Sequence, residues 1–397
     1  KGVNYNLLDD GNIYLSQNSQ TYYSYIDQVA LTGANSIRIP WFTDSFQHWR
    51  KDYPNTGTPQ SALDQGYLSN LIGYCHQKGL VPILEIHDYT CGNNWSSFTT
   101  AIQNWWLQPN VLSLIETHKA YLIINIANEF GKVRWTDNQS QSLITFRNNY
   151  QTIIGNLRNA GINVPIMIDA PDCGQSSTEL LSIAPNLLNA DPQRNIIFSA
   201  HTYWYGYAPN VAAVNTKITE IVNSGVCFVF GEVSNRQDVT SAQADGVYNL
   251  DVIYKEVLTK SCQNNIGWLV WAFNHDWHPD RKMSPTSRFN NLTQFGNDIV
   301  YNTTYGFISG SCQSVLDNDK FIKNKILFYP NPASDKIIFE NSEAITNISI
   351  YSTSGQLVAF SDREFEMMNI EKLSSGVYYI LIKTNDGVQR EKLVVSK

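Results

Sequence analysis

The stretch YLIINIANEF, Tyr121–Phe130, decides the fold. It is an apolar, strand-forming run that stops abruptly at Asn128 and Glu129. Buried parallel strands read as such near-continuous apolar runs. Where strands alternate with helices around a barrel, the chemistry sits at the strands' C-terminal tips. Glu129 is therefore the first candidate acid. A mechanism needs a partner at another tip, and Glu232 in VCFVFGE supplies one.

Working outward from that run, residues 1–302 alternate short apolar segments with longer amphipathic ones, the signature of repeated βα units. The strands are expected at Gly2–Asn6, Ser36–Pro40, Val81–His87, Leu122–Glu129, Pro165–Asp169, Asn195–His201, Cys227–Glu232 and Ile266–Asn274. Helices are expected at Tyr22–Leu31, Ala62–Lys78, Phe98–Trp106, Phe146–Asn159, Val211–Asn223 and Val247–Thr259. Pro109 should break the helix that precedes the fourth strand. Gly79, Gly161 and Gly225 suit left-handed helix ends. Eight strands with helical crossovers over ~300 residues predict an α/β fold, the (β/α)8 TIM barrel.

Composition narrows the function. With a net charge of -7 and no basic run, the 397-residue chain is a poor fit to nucleic acid or an anionic membrane. No apolar run approaches the ~20 residues of a membrane span. The 10 Trp and 22 Tyr offer flat apolar faces with polar tips, as sugar rings require. The six cysteines lack metal-ligand spacing, and no metal or cofactor is expected. Their even number in a polar chain suits an exported protein with disulfides. Cys227 with Cys262, expected to open neighbouring strands, is the first pairing; Cys91 with Cys173, in loops after strands, is the second. The start at Lys1 rather than Met leads us to expect a leader that has been removed or that this sequence leaves out.

Composition changes beyond the barrel. Residues 303–325 read as a linker, and residues 326–397 as a small all-β sandwich. Its strands are expected at Lys336–Glu340, Asn347–Tyr351, Gln356–Ser361, Val377–Lys383 and Gln389–Val395, separated by Asn-Ser, Thr-Ser-Gly, Ser-Ser-Gly and Asn-Asp-Gly turns. YPNPASD (Tyr329–Asp335), STSGQLV (Ser352–Val358), LSSGVYYI (Leu373–Ile380) and the terminal EKLVVSK together resemble the C-terminal sorting domain of the type nine secretion system. That resemblance implies a secreted or surface-attached protein, exported across the outer membrane by secretion machinery that reads this domain. A carbohydrate-binding module ranks lower, since the segment has no Trp for a stacking platform.

The expected strand tips gather Arg38, His87, Asn128, Glu129, His201, Tyr203, Glu232 and Trp271. Such a set suits retaining glycoside hydrolysis, in which one protonated carboxyl and one ionised carboxylate stand about 5–5.5 Å apart. Glu232 is assigned as nucleophile, kept ionised by Arg38, and Glu129 as acid/base in a drier setting. Asn128 would bond the sugar 2-hydroxyl, Tyr203 would align the nucleophile, His87 and His201 would orient the sugar or adjust the acid, and Trp271 would form the sugar's floor. Trp95 and Trp204, in loops, are the candidate sugar platforms, while Trp105 and Trp106 are core. The same residues, each on its strand, resemble glycoside hydrolase family five. Within it, EIHDYTCG, NIANE, MIDAPDCGQ and NADPQRNIIFSAHTY are similar to bacterial β-mannanases, and WAFNHD to endoglucanases.

The resemblance implies a monomeric endo-β-1,4-glycanase acting on plant cell-wall polysaccharide. β-1,4-Glucan is expected ahead of β-1,4-mannan. A silent polysaccharide-binding barrel and an exo-acting glycosidase are the other readings. Glu85 is the rival acid, but period-two alternation puts it one layer below His87, as a partner for Arg38. His275, Asp276, His278 and Asp280 match no strong ligand spacing and read as a loop at the cleft rim. Asp169, Asp172 and Gln175 could contact sugar or tie loops.

Overall fold

The computed structural model describes residues 1–5, 19–43, 59–239, 246–310, 326–352, 357–384 and 387–397. The chain divides into two compact units, Lys1–Gly310 and Ser311–Lys397. In the first, strands β1 (Gly2–Asn4), β2 (Ser36–Trp41), β3 (Val81–Ile86), β4 (Ile123–Asn125), β5 (Ile166–Asp169), β6 (Ile196–His201), β7 (Phe228–Val233) and β10 (Gly267–Val270) close into a parallel barrel. Between β7 and β10 an antiparallel hairpin is inserted, β8 (Arg236–Asp238) with β9 (Val247–Asn249). Its strands, Arg-Gln-Asp and Val-Tyr-Asn, are only three residues long, too short for an alternation to announce them.

Alternate residues of each strand face inward, which layers the interior.

 Leu269, Met167 and Ile83 form the buried centre of the base layer, and Ile123, Ile197 and Val229 pack against them. Each fully buried side chain of this size contributes ~1.5–3 kcal/mol relative to exposure. Two residues further along the strands the layer turns polar, with Glu85, Asn125, Asp169 and Ser199 all buried. This layer is the floor of the site. Gly231 leaves room there, since a Cβ would meet Ser199 Oγ at 2.5 Å and His201 Nε2 at 2.9 Å.

The crossovers follow the expected pattern with local differences. Pro109 starts a separate helix, Pro109–His118, after the segment Trp95–Trp106, which contains a π-helical turn. Helix Ser177–Ala190 was hidden in the sequence by Pro185. The last crossover helix begins at Asp251, not Val247, and runs to Asn264. Cys262 therefore lies within that helix rather than opening a strand. The expected Cys227–Cys262 pair does not form: Cys227 is a free, exposed thiol, and Cys262 is disulfide-bonded elsewhere. Cys91–Cys173, the second choice, is the bond observed.

Residues 303–310 are not linker. Tyr305 and Phe307 are buried, and Phe307 stacks on Trp268 at 5.2 Å. The remainder of the expected linker, 311–325, lies outside the described residues. The second unit holds a three-stranded sheet, β11 (Phe328–Tyr329), β12 (Lys336–Phe339) and β15 (Met367–Asn369), and a four-stranded one, β13 (Ile345–Ser352), β14 (Leu357–Ser361), β16 (Gly376–Thr384) and β17 (Gly387–Val395). All pairings in both sheets are antiparallel. Ile337, Ile348, Ile350, Ile380, Ile382 and Leu393 are buried in its core. The expected Thr-Ser-Gly turn, and Asn385 and Asp386 of the Asn-Asp-Gly turn, lie outside the described residues.

Candidate active site

Arg38, fully buried on β2, is the hub of the polar layer. Its Nε donates to Asn125 Oδ1 at 2.9 Å, Nη1 to Asn4 Oδ1 at 2.9 Å and to Glu232 Oε1 at 2.8 Å, and Nη2 to Asn128 Oδ1 at 2.7 Å. Glu85 and Asp169 stand 3.6 and 3.4 Å from the same guanidinium. Glu85 also holds His87, whose Nδ1 is 3.1 Å from its Oε2. The alternation of β3 thus puts Glu85 beneath His87, against Arg38.

Glu129 does not end a regular strand. The β4 ladder stops at Asn125, and Glu129 itself has φ 52°, in the left-handed region. A non-glycine residue persists there only when its surroundings fix it. Its Oε1 lies 2.6 Å from His201 Nδ1, and its amide donates to Asp169 Oδ2 at 3.3 Å. Glu232, at the end of β7, accepts from Arg38 and, at 2.8 Å, from Tyr203 Oη. Oxygens of the two carboxyls lie within 4.8 Å of each other and of a His201 nitrogen.

Charge is crowded here. Burial lowers the basicity of His201, but the Glu232 and Asp169 charges and bonds to Asp169 and Glu129 outweigh it and raise the imidazole to about 10. Burial pushes Asp169 up, yet His201 and Arg38 carry it well below the ordinary carboxylate range. His87 is raised, because Glu85 overcomes burial. For Glu232, burial wins: it lifts the carboxyl despite His201 and Arg38, and the neighbouring Glu129 charge adds to the rise. The expectation that Arg38 alone would keep Glu232 low is therefore corrected.

The carboxyls open into a cleft of 370 Å³, lined also by His87, Asn128, Tyr203 and Trp271. A larger concavity of 640 Å³, beside Asp251, Tyr254 and Asp298, has neither candidate carboxyl and none of the expected strand-tip residues in its lining. Trp271 lies parallel to His87 at 5.5 Å and is held by a bond from Nε1 to Asp276 Oδ2 of 2.7 Å. Asp276 also binds Arg281, and Asp280 binds Arg236, so these members of the rim loop act as ties. Asp172 is another tie, accepting from the amides of Val133 and Arg134 at 2.8 and 3.0 Å.

Both expected sugar platforms are corrected. Trp204 is fully buried against Phe230 and donates to the Gln175 carbonyl. Trp95 is half-buried among Phe98, Phe130, Phe146 and Tyr150. Among the described residues, the indoles that line the cleft with exposed faces are Trp135, at 47%, and Trp277, at 54%. Both stand in polar loops just beyond a candidate strand tip, and that position was the available signal.

Residues 4–276 match the family described as cellulase (glycosyl hydrolase family 5). The chain belongs to that family. Residues 327–396 match the secretion system C-terminal sorting domain, so this family 5 chain carries an export signal at its C-terminal end. The glycosidase domain is 28% identical over 280 residues to a mannan endo-1,4-beta-mannosidase of Cellvibrio japonicus, covering 69% of this chain and 57% of that protein. The enzyme of the same name from Salipaludibacillus agaradhaerens is 29% identical over 279 residues, covering 70% and 79%. Among solved structures, the barrel is similar to the mannohexaose complex of Thermomonospora fusca β-mannanase, with a TM-score of 0.58, 21% identity and coverage of 78% and 90%. Among the described residues, no helix of the family 5 chain is long and apolar enough to cross a membrane.

Proposed function

We propose that the barrel is a retaining endo-β-1,4-mannanase that acts as a monomer. The observation that carries the reaction type is the approach of Glu129 and Glu232 oxygens to within 4.8 Å. Retaining glycosidases hold their carboxyls about 5–5.5 Å apart, whereas inverting enzymes leave room for a water between them. For the sugar, the sequence leaned towards glucan on the WAFNHD ending. The two relatives named above are mannosidases, which favours mannan.

In this reading Glu232 attacks the anomeric carbon, oriented by Arg38 and Tyr203. Glu129 protonates the leaving oxygen and then takes a proton from the water that releases the glycosyl enzyme. His201 holds the acid's other oxygen. Arg38 fixes Asn128 by its Oδ1, which directs the amide Nδ2 to donate, to Thr90 Oγ1 at 3.1 Å and within reach of a sugar hydroxyl. Trp271 forms the floor beneath the reacting sugar, and Trp135 and Trp277 extend the binding surface along the cleft.

The test is a panel of galactomannan, glucomannan, carboxymethylcellulose, xylan and lichenan, with product anomers followed by NMR. Mannans should release reducing sugar fastest, as the β-anomer. Preference for carboxymethylcellulose would return the reading to an endoglucanase, inversion would refute the roles of both carboxyls, and binding without release would leave a capture protein.

A further inference from the structure

The Cys91–Cys173 bond joins loops 82 residues apart. One loop follows β3 and the other β5, and β4 lies between those strands in the barrel. The cross-link thus ties the two loops that flank the strand from which Glu129 emerges. Cys91 Sγ is 3.3 Å from Glu129 Oε2, and both cysteines line the cleft.

The glycine after each cysteine carries the connection further. The Gly92 carbonyl accepts from the amide of Gly131, two residues past Glu129, at 2.8 Å. The Gly174 carbonyl accepts from the amide of His201, the imidazole that holds Glu129, at 2.7 Å. Neither glycine can be larger without movement: a Cβ at Gly92 would meet Phe130 at 2.9 Å, and one at Gly174 would meet His201 at 2.6 Å. Each half of the disulfide is therefore bound to one half of the Glu129–His201 pair. Tyr89, Cys91, Glu129, Asp172 and Cys173 all have φ between 52° and 62°. Non-glycine residues keep such angles only where the structure over-determines them.

We propose that the Cys91–Cys173 disulfide is a positioning element for Glu129, holding the acid/base and His201 in register so that opening it costs acid catalysis rather than substrate binding. This rests on the reading of Glu129 as acid/base given above. A covalent tie made only in an oxidising compartment also suits a chain with an export domain.

The test compares the full-length protein with the Cys91→Ala/Cys173→Ala variant on two substrates. One is the polysaccharide, whose leaving group needs a proton. The other is a 2,4-dinitrophenyl disaccharide glycoside, whose leaving group does not. General acid catalysis is worth ~10²–10⁴-fold, so partial misplacement should lower kcat/KM on polysaccharide about tenfold or more. On the aryl glycoside the loss in kcat/KM should stay under about twofold, because the glycosylation step that it reports needs no proton from the acid. Equal losses on both substrates, or no loss on either, would overturn the proposal.

Should the variant fail to fold, the native protein is reduced instead. A dithiol such as dithiothreitol gives two electrons and two protons to the disulfide, leaving two thiols, and itself closes to a cyclic disulfide. Alkylation and mass spectrometry identify the opened bond, the same two substrates are assayed under the same criteria, and reoxidation should restore the lost rate. Mannosyl and glucosyl versions are both used, and the comparison is made on whichever the wild type cleaves. A wrong sugar assignment thus leaves this test intact, whereas a wild type that cleaves neither refutes both readings.

Discussion

Replacing Arg38 by lysine keeps the charge and removes the fork. The guanidinium makes four hydrogen bonds of 2.7–2.9 Å, spread over Asn4, Asn125, Asn128 and Glu232. A single ammonium offers three donors from one point, and these acceptors surround three separate nitrogens, so at least two should be stranded. Each buried unsatisfied acceptor costs ~1–3 kcal/mol, giving ~2–6 kcal/mol. That is a large share of the ~5–15 kcal/mol that holds a domain together. With ~2.1 cal/mol/K of unfolding entropy per residue, the unit Lys1–Gly310 should lose ~3–9 °C in Tm. Catalysis should suffer more, because Glu232 and Asn128 lose their common clamp, and misplacement by ~1 Å can cost ~10²-fold. Calorimetry and initial rates on mannan check both numbers. A Tm within 1 °C of wild type together with an unchanged kcat/KM, to within about twofold, would refute the hub assigned to Arg38.

Glu129→Ala and Glu232→Ala should each remain folded by circular dichroism and lose at least ~10³-fold in mannan hydrolysis. Azide separates their roles on an activated glycoside: β-glycosyl azide is expected from Glu129→Ala and α-glycosyl azide from Glu232→Ala, and the reverse products would exchange the two assignments. Trp135→Ala and Trp277→Ala should raise KM for polysaccharide ~2–13-fold with kcat nearly unchanged, as loss of stacking worth ~0.5–1.5 kcal/mol implies; a fall in kcat alone would contradict a platform role. The His201 proton is held more tightly in the folded state, up to about 10 against an ordinary 6.5, so its stabilisation is complete below 6.5 and is lost as pH rises towards 10. Urea midpoints should therefore fall across that window, and His201→Gln should flatten the slope; an equal slope in the variant would count against the imidazolium. Removing residues after 325 should leave hydrolysis intact and abolish export, which secretion assays of the truncated chain would show.

The barrel was legible because buried parallel strands have no polar face to disguise them. All eight fall where the apolar runs predicted, although β4 is cut short by the turn that aims Glu129. What escaped was written in weaker signals. Helix Ser177–Ala190 contains Pro185, and the β8–β9 hairpin is built from strands of three residues each, too short to carry a period. The indole platforms were misplaced because burial of a loop residue depends on the loop's path. Trp204 and Trp277 both follow a strand tip, but only Trp277 is exposed. The disulfide ranking failed for a similar reason: it assumed that Cys262 opened a strand, when the helix Asp251–Asn264 contains it. Six of the residues expected at strand tips, His87, Asn128, Glu129, Tyr203, Glu232 and Trp271, do line one cleft, whereas the balance between burial and Arg38 at Glu232 needed coordinates.

That balance bears on why the site works. Glu85, Asp169, Glu129 and Glu232 bring four carboxyl groups into one buried cluster, against Arg38 and a protonated His201 as the firm cations. The cleft therefore holds more carboxyl groups than firm cations, and the Glu129 charge adds to the rise that burial gives Glu232. A sugar passing through an oxocarbenium-like transition state supplies positive charge at the position where the cluster lacks it. The ground-state sugar is neutral and gains little from this field, so the stabilisation is selective for the transition state, as catalysis requires. On this argument Glu85, which is absent from the cleft lining, still contributes through Arg38 and His87. Glu85→Gln should lower kcat on mannan while leaving KM near the wild-type value, and a change confined to KM would show that the deep carboxylate serves binding alone.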